Sequence, residues 1–348
     1  MKIRDLVFGI ILASLFQACS TDVDLYADYQ SIPVVYGFIN QKADTNYIKI
    51  TRTFCGTNDE HINAIEVAAI ADSSNYPDKL DVFFEELKSS SGQPFEPTGR
   101  RFQLDTLTIH NKKEGLFYAP HQKLYYTTEH FNTTQNNDKY RYKLTVVKPD
   151  GERVTSELDV IEGDIFLGQV LIHFESFPSD RHSRIMFTST EEAVLYEIGM
   201  QFNYWEGHDG QPLTQKQVSW SYGSRPIGAY EKIGDLDNLY GLSYSVNALF
   251  DKMKQAIGND TVWDANHPNV VRYIGDFYIY ISAAGIDFYN YSQYLQTMQG
   301  GLSLSNEYTN IKGGCGFLSS RVFVKHKVEL TSRAKYDLFS LPWGFREQ

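Results

Sequence analysis

The stretch YRYKLTVVKPDGERVTSELDV, residues 140–160, decides the reading of the fold. Tyr140-Arg141-Tyr142-Lys143-Leu144-Thr145-Val146 alternates with period two, the signature of a strand with one face in a core. Pro149-Asp150-Gly151 then supplies a turn, since Pro sets φ and Gly accepts a positive φ. Residues 154–160 return. The stretch predicts a β-hairpin closing a set of strands.

Upstream of it the same period recurs. Residues 32–39 and 47–54 read as strands joined by Ala43-Asp44-Thr45-Asn46, and residues 64–71 as a short helix. Residues 80–87 form a third strand, ended by Ser89-Ser90-Ser91-Gly92, and 102–109 and 115–120 are shorter ones. So many short strands predict an immunoglobulin-like β-sandwich over residues 31–162, although the Cys…Trp…Cys core of antibody domains is missing. Glu162-Gly163-Asp164 marks a junction. Beyond it, strands at 184–190, 193–205, 217–222, 270–281 and 317–328 alternate with helical spacing at 246–257 and 286–298. Residues 165–348 therefore read as a β-rich domain, a curved sheet or open barrel with two or three helices packed on it. The expected class is mainly β throughout.

The N-terminus reads differently. Lys2 and Arg4 precede an apolar run at residues 6–16, too short to span a bilayer as a helix but of signal-peptide length. Phe16-Gln17-Ala18-Cys19 follows and looks like a bacterial lipobox. Residues 1–18 are then a signal peptide, and residues 19–30 a tether lipidated at Cys19. Asp22 and Asp24 just after the cysteine resemble a surface-export signal. Stable anchoring needs more than one acyl chain, since each buried CH₂ contributes only about 0.8 kcal/mol.

With 348 residues the chain is long enough for two domains, and its 42% apolar content supports packed cores. A formal charge of −11 argues against nucleic acid as a partner, because that binding needs basic surface. Besides Cys19 there are Cys55 and Cys315, which an oxidising compartment would allow to pair.

Catalytic motifs are missing from the sequence. It has no P-loop, GxGxxG, GxSxG, CxxC or HExxH pattern, and its nine histidines share no ligand-like spacing. No catalytic residue, metal ligand or cofactor is therefore expected. The adjacent acids Glu85-Glu86 and Glu191-Glu192 point to opposite faces of a strand and read as solvated. Tyrosine is more suggestive. Tyr289, Tyr294 and Tyr308 fall in a crowded aromatic region away from the expected core stripe of Tyr291 and Leu295. They are the candidate interface, since Tyr offers apolar area with a polar tip.

Several stretches resemble a family of Bacteroidota lipoproteins. They are Cys19 with Val23-Asp24-Leu25, then Pro33-Val34-Val35-Tyr36-Gly37-Phe38-Ile39, and Asp44-Thr45-Asn46-Tyr47-Ile48-Lys49-Ile50-Thr51-Arg52-Thr53-Phe54. Near the end come Phe288-Tyr289-Asn290-Tyr291-Ser292-Gln293-Tyr294-Leu295 and Tyr308-Thr309-Asn310-Ile311-Lys312-Gly313-Gly314-Cys315-Gly316-Phe317. Cys315 departs from the pattern, standing where Leu is more usual. The family is a domain of unknown function whose members resemble outer-membrane lipoproteins often encoded near TonB-dependent transporters. The resemblance implies an outer-membrane address facing the cell exterior and carries over no catalytic residue. The expectation is a non-enzymatic, lipid-anchored accessory or binding subunit whose partner is an outer-membrane β-barrel or another envelope protein. The alternatives are a surface binder of a glycan or peptide nutrient, and a fimbrial or adhesive subunit.

Overall fold

The computed structural model describes residues 31–54, 68, 70–111, 113, 115, 121–133, 137–161, 164–168, 170, 172, 182–207, 212–257, 270–299, 308–341 and 343–347. Cys19, Asp22, Asp24 and Cys55 lie outside these residues, as do most of the expected helix at 64–71 and strand at 115–120.

Eight strands build the N-terminal part. They are β1 (Pro33–Ile39), β2 (Asn46–Arg52), β3 (Asp81–Ser90), β4 (Glu96–Gln103), β5 (Asp105–Ile109), β6 (Gln122–Thr127), β7 (Asp138–Val147) and β8 (Arg153–Asp159). Neighbours run β1-β2-β6-β5 on one side and β4-β3-β7-β8 on the other. In strand letters this is A-B-E-D facing C′-C-F-G, the arrangement of an immunoglobulin-like sandwich. The residues on alternate positions explain it. Val35, Ile48, Ile50 and Tyr125 from one sheet meet Val82, Phe84, Leu144 and Val154 from the other, each at most 2% exposed. The deciding hairpin is β7–β8, registered Val146↔Val154 and Tyr142↔Leu158, with Gly151 at φ 87° in its turn.

The sequence lacks the inter-sheet cysteine pair of antibody domains but keeps another of their features. Tyr142 on β7 accepts a hydrogen bond from Asn132 N at 2.5 Å, in the loop joining β6 to β7. This is the tyrosine corner of such sandwiches, and it precedes Leu144 by two residues, where antibody domains carry a core cysteine. The same hydroxyl donates to Glu86 Oε2 at 2.8 Å. The expectation that Glu86 is solvated fails. It follows Phe84 by two on β3 and so turns inward, where it is 4% exposed.

The C-terminal part has β9 (His182–Thr188), β10 (Leu195–Gly207), β11 (Thr214–Pro226), β12 (Glu231–Lys232), β13 (Leu239–Ser245), β14 (Val271–Ala284), β15 (Cys315–Val328) and β16 (Phe345–Arg346). Its helices are α1 (Val246–Ile257), α2 (Ile286–Gln299) and α3 (Ser332–Ser340). The fold is mainly β with few helices, as the sequence predicts. Among the described residues no sheet closes into a barrel: the long sheet is open, with β11 at one end of its strand order and β5 at the other. A second hydrophobic core fills this part. It joins Tyr196, Ile198, Met200 and Phe202 of β10 to Phe277, Ile279 and Ile281 of β14, and to Leu249, Met253 and Ile257 on one stripe of α1. The C-terminal end is held by a buried ion pair. Arg272, 0% exposed, gives Glu206 Oε2 hydrogen bonds at 2.9 and 2.7 Å and donates to Trp343 O at 2.8 Å.

The sandwich core includes Val160 and the second core begins with Ile161, beside the expected junction. One strand crosses between them. Residues 315–320 of β15 pair in parallel with β1, while residues 321–328 pair antiparallel with β14. Just before β15, Lys312 and Thr155 of β8 exchange backbone hydrogen bonds at 2.8 and 3.1 Å. Ile311 and Leu318, 3% and 0% exposed, belong to the sandwich core. The C-terminal chain thus completes the N-terminal sandwich. No helix among the described residues is long and apolar enough to cross a membrane.

Candidate interaction surface

The outward face of β1-β2-β6-β5 is rich in aromatic and aliphatic side chains, with Lys49 donating to Gln122 at 2.9 Å among them. With Val35 and Ile39 turned inward, Tyr36 and Phe38 stand outward on β1. Pairing sets Lys49 and Tyr47 of β2 beside them, then Tyr126 of β6 beside Tyr47. Leu124 of β6 faces Leu107 of β5 on the same side. Tyr47 is 46% exposed, and its ring lies 6.4 Å from that of Tyr126.

One end of this face has a roof. Phe317 on β15 is buried beneath α2, in neither core. Its ring lies 4.6 Å from Tyr291, and Phe288 lies 4.8 Å from Phe38. The expected core stripe of Tyr291 with Leu295 fails. Leu295 is 41% exposed, because α2 rests on an outer sheet face through Phe288 and Tyr291 and has no fully buried residue. Beyond the roof the face opens into a shallow cleft of about 330 Å³, lined by Tyr36, Phe38, Tyr47, Lys49, Leu124 and Phe317.

Of the expected interface residues, Tyr289, Tyr294 and Tyr308 are all half-buried. Tyr294 sits 6.4 Å from Tyr291. Tyr308 donates to Asp287 Oδ1 at 2.8 Å, fastening the loop before β15 to the first turn of α2. Burial and the neighbouring carboxylate push the Tyr308 phenol up to about 12, so it stays a donor at neutral pH. Burial pushes the Asp287 carboxyl up as well, against hydrogen bonds from Tyr308 and Asn310. Tyr308 thus fastens the roof, while Tyr36, Phe38, Tyr47, Tyr126 and Leu124 stand on the neighbouring outward face. The sequence signal for that face was available. It lies in the second, outward set of apolar residues on strands whose inward set is also apolar.

Other surfaces differ in chemistry. The outward face of β10 and β14 mixes polar and aromatic groups: Gln201 donates to Asn203 at 2.8 Å, Lys325 of β15 lies 4.1 Å above the Tyr278 ring, and Trp205 is 38% exposed. A larger cleft of about 560 Å³ near Ile32 is lined by Arg52, Lys148 and Asp150, with Lys148 held by Asp150 at 2.9 Å. The two buried carboxylates among the described residues, Glu86 and Glu206, are bound by Arg100 and Arg272 and serve the fold. Cys315, the described member of the expected disulfide, is half-buried at the start of β15.

No family model matches the sequence, and no curated protein matches it. Among solved structures, a cytokine receptor complex aligns over 86% of this chain and 98% of its own, at 8% identity and a TM-score of 0.22. A superposition that loose informs neither fold nor function.

Proposed function

We propose that the chain is a lipid-anchored, non-enzymatic accessory subunit of the outer membrane that docks an outer-membrane β-barrel protein through the outward face of β1-β2-β6-β5. The observation that carries this reading is the cluster of Tyr36, Phe38, Tyr47, Tyr126 and Leu124 on that face, crossed by Lys49 and only partly covered by α2. Contiguous exposed apolar surface marks interaction sites, and Tyr anchors commonly carry their energy. The lipobox-like Cys19 supplies the address, because a tether confines the partner to the same membrane.

The experiment is site-specific photo-cross-linking in intact cells. A cross-linker replacing Tyr47 should give one adduct with a barrel protein, and one replacing Leu236, 62% exposed on the other part of the molecule, should give none. The double variant Tyr47→Lys with Leu124→Lys should lose that adduct, read from a probe at Tyr126, while keeping the wild-type unfolding midpoint. Adducts at Leu236 but none at Tyr47 would contradict the reading.

A further inference from the structure

The sandwich carries a second feature, independent of the docking face. The β5–β6 pairing runs to Ile109↔Gln122, which brings the next residue on each strand, His110 and His121, side by side. Both are exposed. Their Nδ1 atoms face each other at 2.5 Å, and the rings stand at 90° with centroids 4.5 Å apart. The other histidines are scattered in the sequence. This pair, eleven residues apart, becomes neighbours only through strand pairing.

We infer that His110 and His121 form a two-histidine site for a divalent first-row transition cation. A neutral imidazole offers one N–H and one lone pair, so two nitrogens this close must share either a proton or a cation. Imidazole nitrogen suits zinc, copper and nickel. Metal–nitrogen bonds of ~2.0–2.1 Å in tetrahedral geometry place two ligand nitrogens roughly 3.3 Å apart. Opening the pair by less than about 1 Å, through side-chain rotation at exposed positions, reaches that separation. The pair sits one residue beyond Ile109 and Gln122, the last paired residues of β5 and β6, so the strands deliver the two rings to the same place. No group of three or more His, Cys, Asp or Glu that could hold a metal occurs among the described residues. Among the described residues the two imidazoles are thus the protein ligands of the site.

The test is calorimetric titration of the full chain with Zn²⁺ and, separately, Ni²⁺. One equivalent should bind to the wild type and raise its unfolding midpoint, because binding to the native state stabilises it. His110→Gln and His121→Gln should each weaken binding at least about tenfold, the loss that even removing a ligand's supporting partner causes. Each should match the wild-type midpoint in metal-free buffer. Isotherms unchanged in both variants would overturn the assignment, as would a wild type that binds no equivalent.

Discussion

Glu86 shows how one residue couples the fold to pH. Its carboxylate is 4% exposed and accepts from Tyr142 at 2.8 Å, Arg100 at 2.9 Å, Asn132 at 2.8 Å and Thr98 at 3.1 Å. Burial alone would raise its pKa, but the hydrogen bonds from Tyr142, Arg100, Thr98 and Asn132 outweigh burial and hold it below the ordinary value. A depressed carboxyl stabilises the native state above its unfolded pKa of about 4.3, and that contribution is lost as pH falls through the folded value. Glu86→Gln keeps the shape and removes the charge, so at pH 7 it should cost about 2 kcal/mol, the scale of a charge-assisted hydrogen bond. The cost should shrink as acid protonates the wild type. Urea unfolding of both proteins at pH 7 and at low pH measures this, and a gap that does not narrow on acidification would place the stabilisation outside the carboxylate. In the sequence Glu86 is half of an ordinary-looking acid pair. Only the three-dimensional convergence of β3, β4, β7 and the β6–β7 loop distinguishes it from Glu85.

At the scale of elements, what the sequence made legible follows from how local each signal is. The β7–β8 hairpin and the helices α1 and α2 were readable because a period and its stop signals lie within a dozen residues. The strands β6 and β13 were missed, and so was α3, whose N-cap Thr331 accepts from Ala334 N at 3.1 Å. The strand pairs of a sandwich are visible as runs, but β15 beside β1 has no signature in sequence. Gly316 is its trace after the fact. It has φ 94°, and a Cβ there would come 2.1 Å from Val35 O. Gly316→Ala therefore combines a left-handed strain with a backbone clash, and should destabilise the protein by about 3 kcal/mol or more. The damage should be localised. Hydrogen exchange should rise first in β1 and in residues 315–320, with β10 and β14 protected; uniform loss of protection would mean that β15 does not separate the two cores.

The whole molecule depends on that crossing strand. Two cores that divide between Val160 and Ile161 would ordinarily suggest two units able to fold alone. The sandwich, however, takes Ile311 and Leu318 from the C-terminal chain, and its β1 edge is covered by residues 315–320. Burying two such aliphatic side chains contributes roughly 3–6 kcal/mol. That is a large share of the ~5–15 kcal/mol by which a domain is stable. An isolated fragment of residues 19–162 would also expose β1 as an unpaired edge, a template for aggregation. The fragment should therefore show little cooperative thermal unfolding by circular dichroism. A synthetic peptide of residues 308–320 should restore a transition in a concentration-dependent way, because it binds only the folded sandwich. A fragment that unfolds cooperatively near the full chain's midpoint, indifferent to the peptide, would show that the shared strand decorates the sandwich without completing it. If the peptide rescues the fragment, the proposed docking face inherits the same dependence. Phe317 lies in that segment, and the α2 roof rests on it, so the far C-terminal part of the chain sets how much of the N-terminal apolar face is open to a partner.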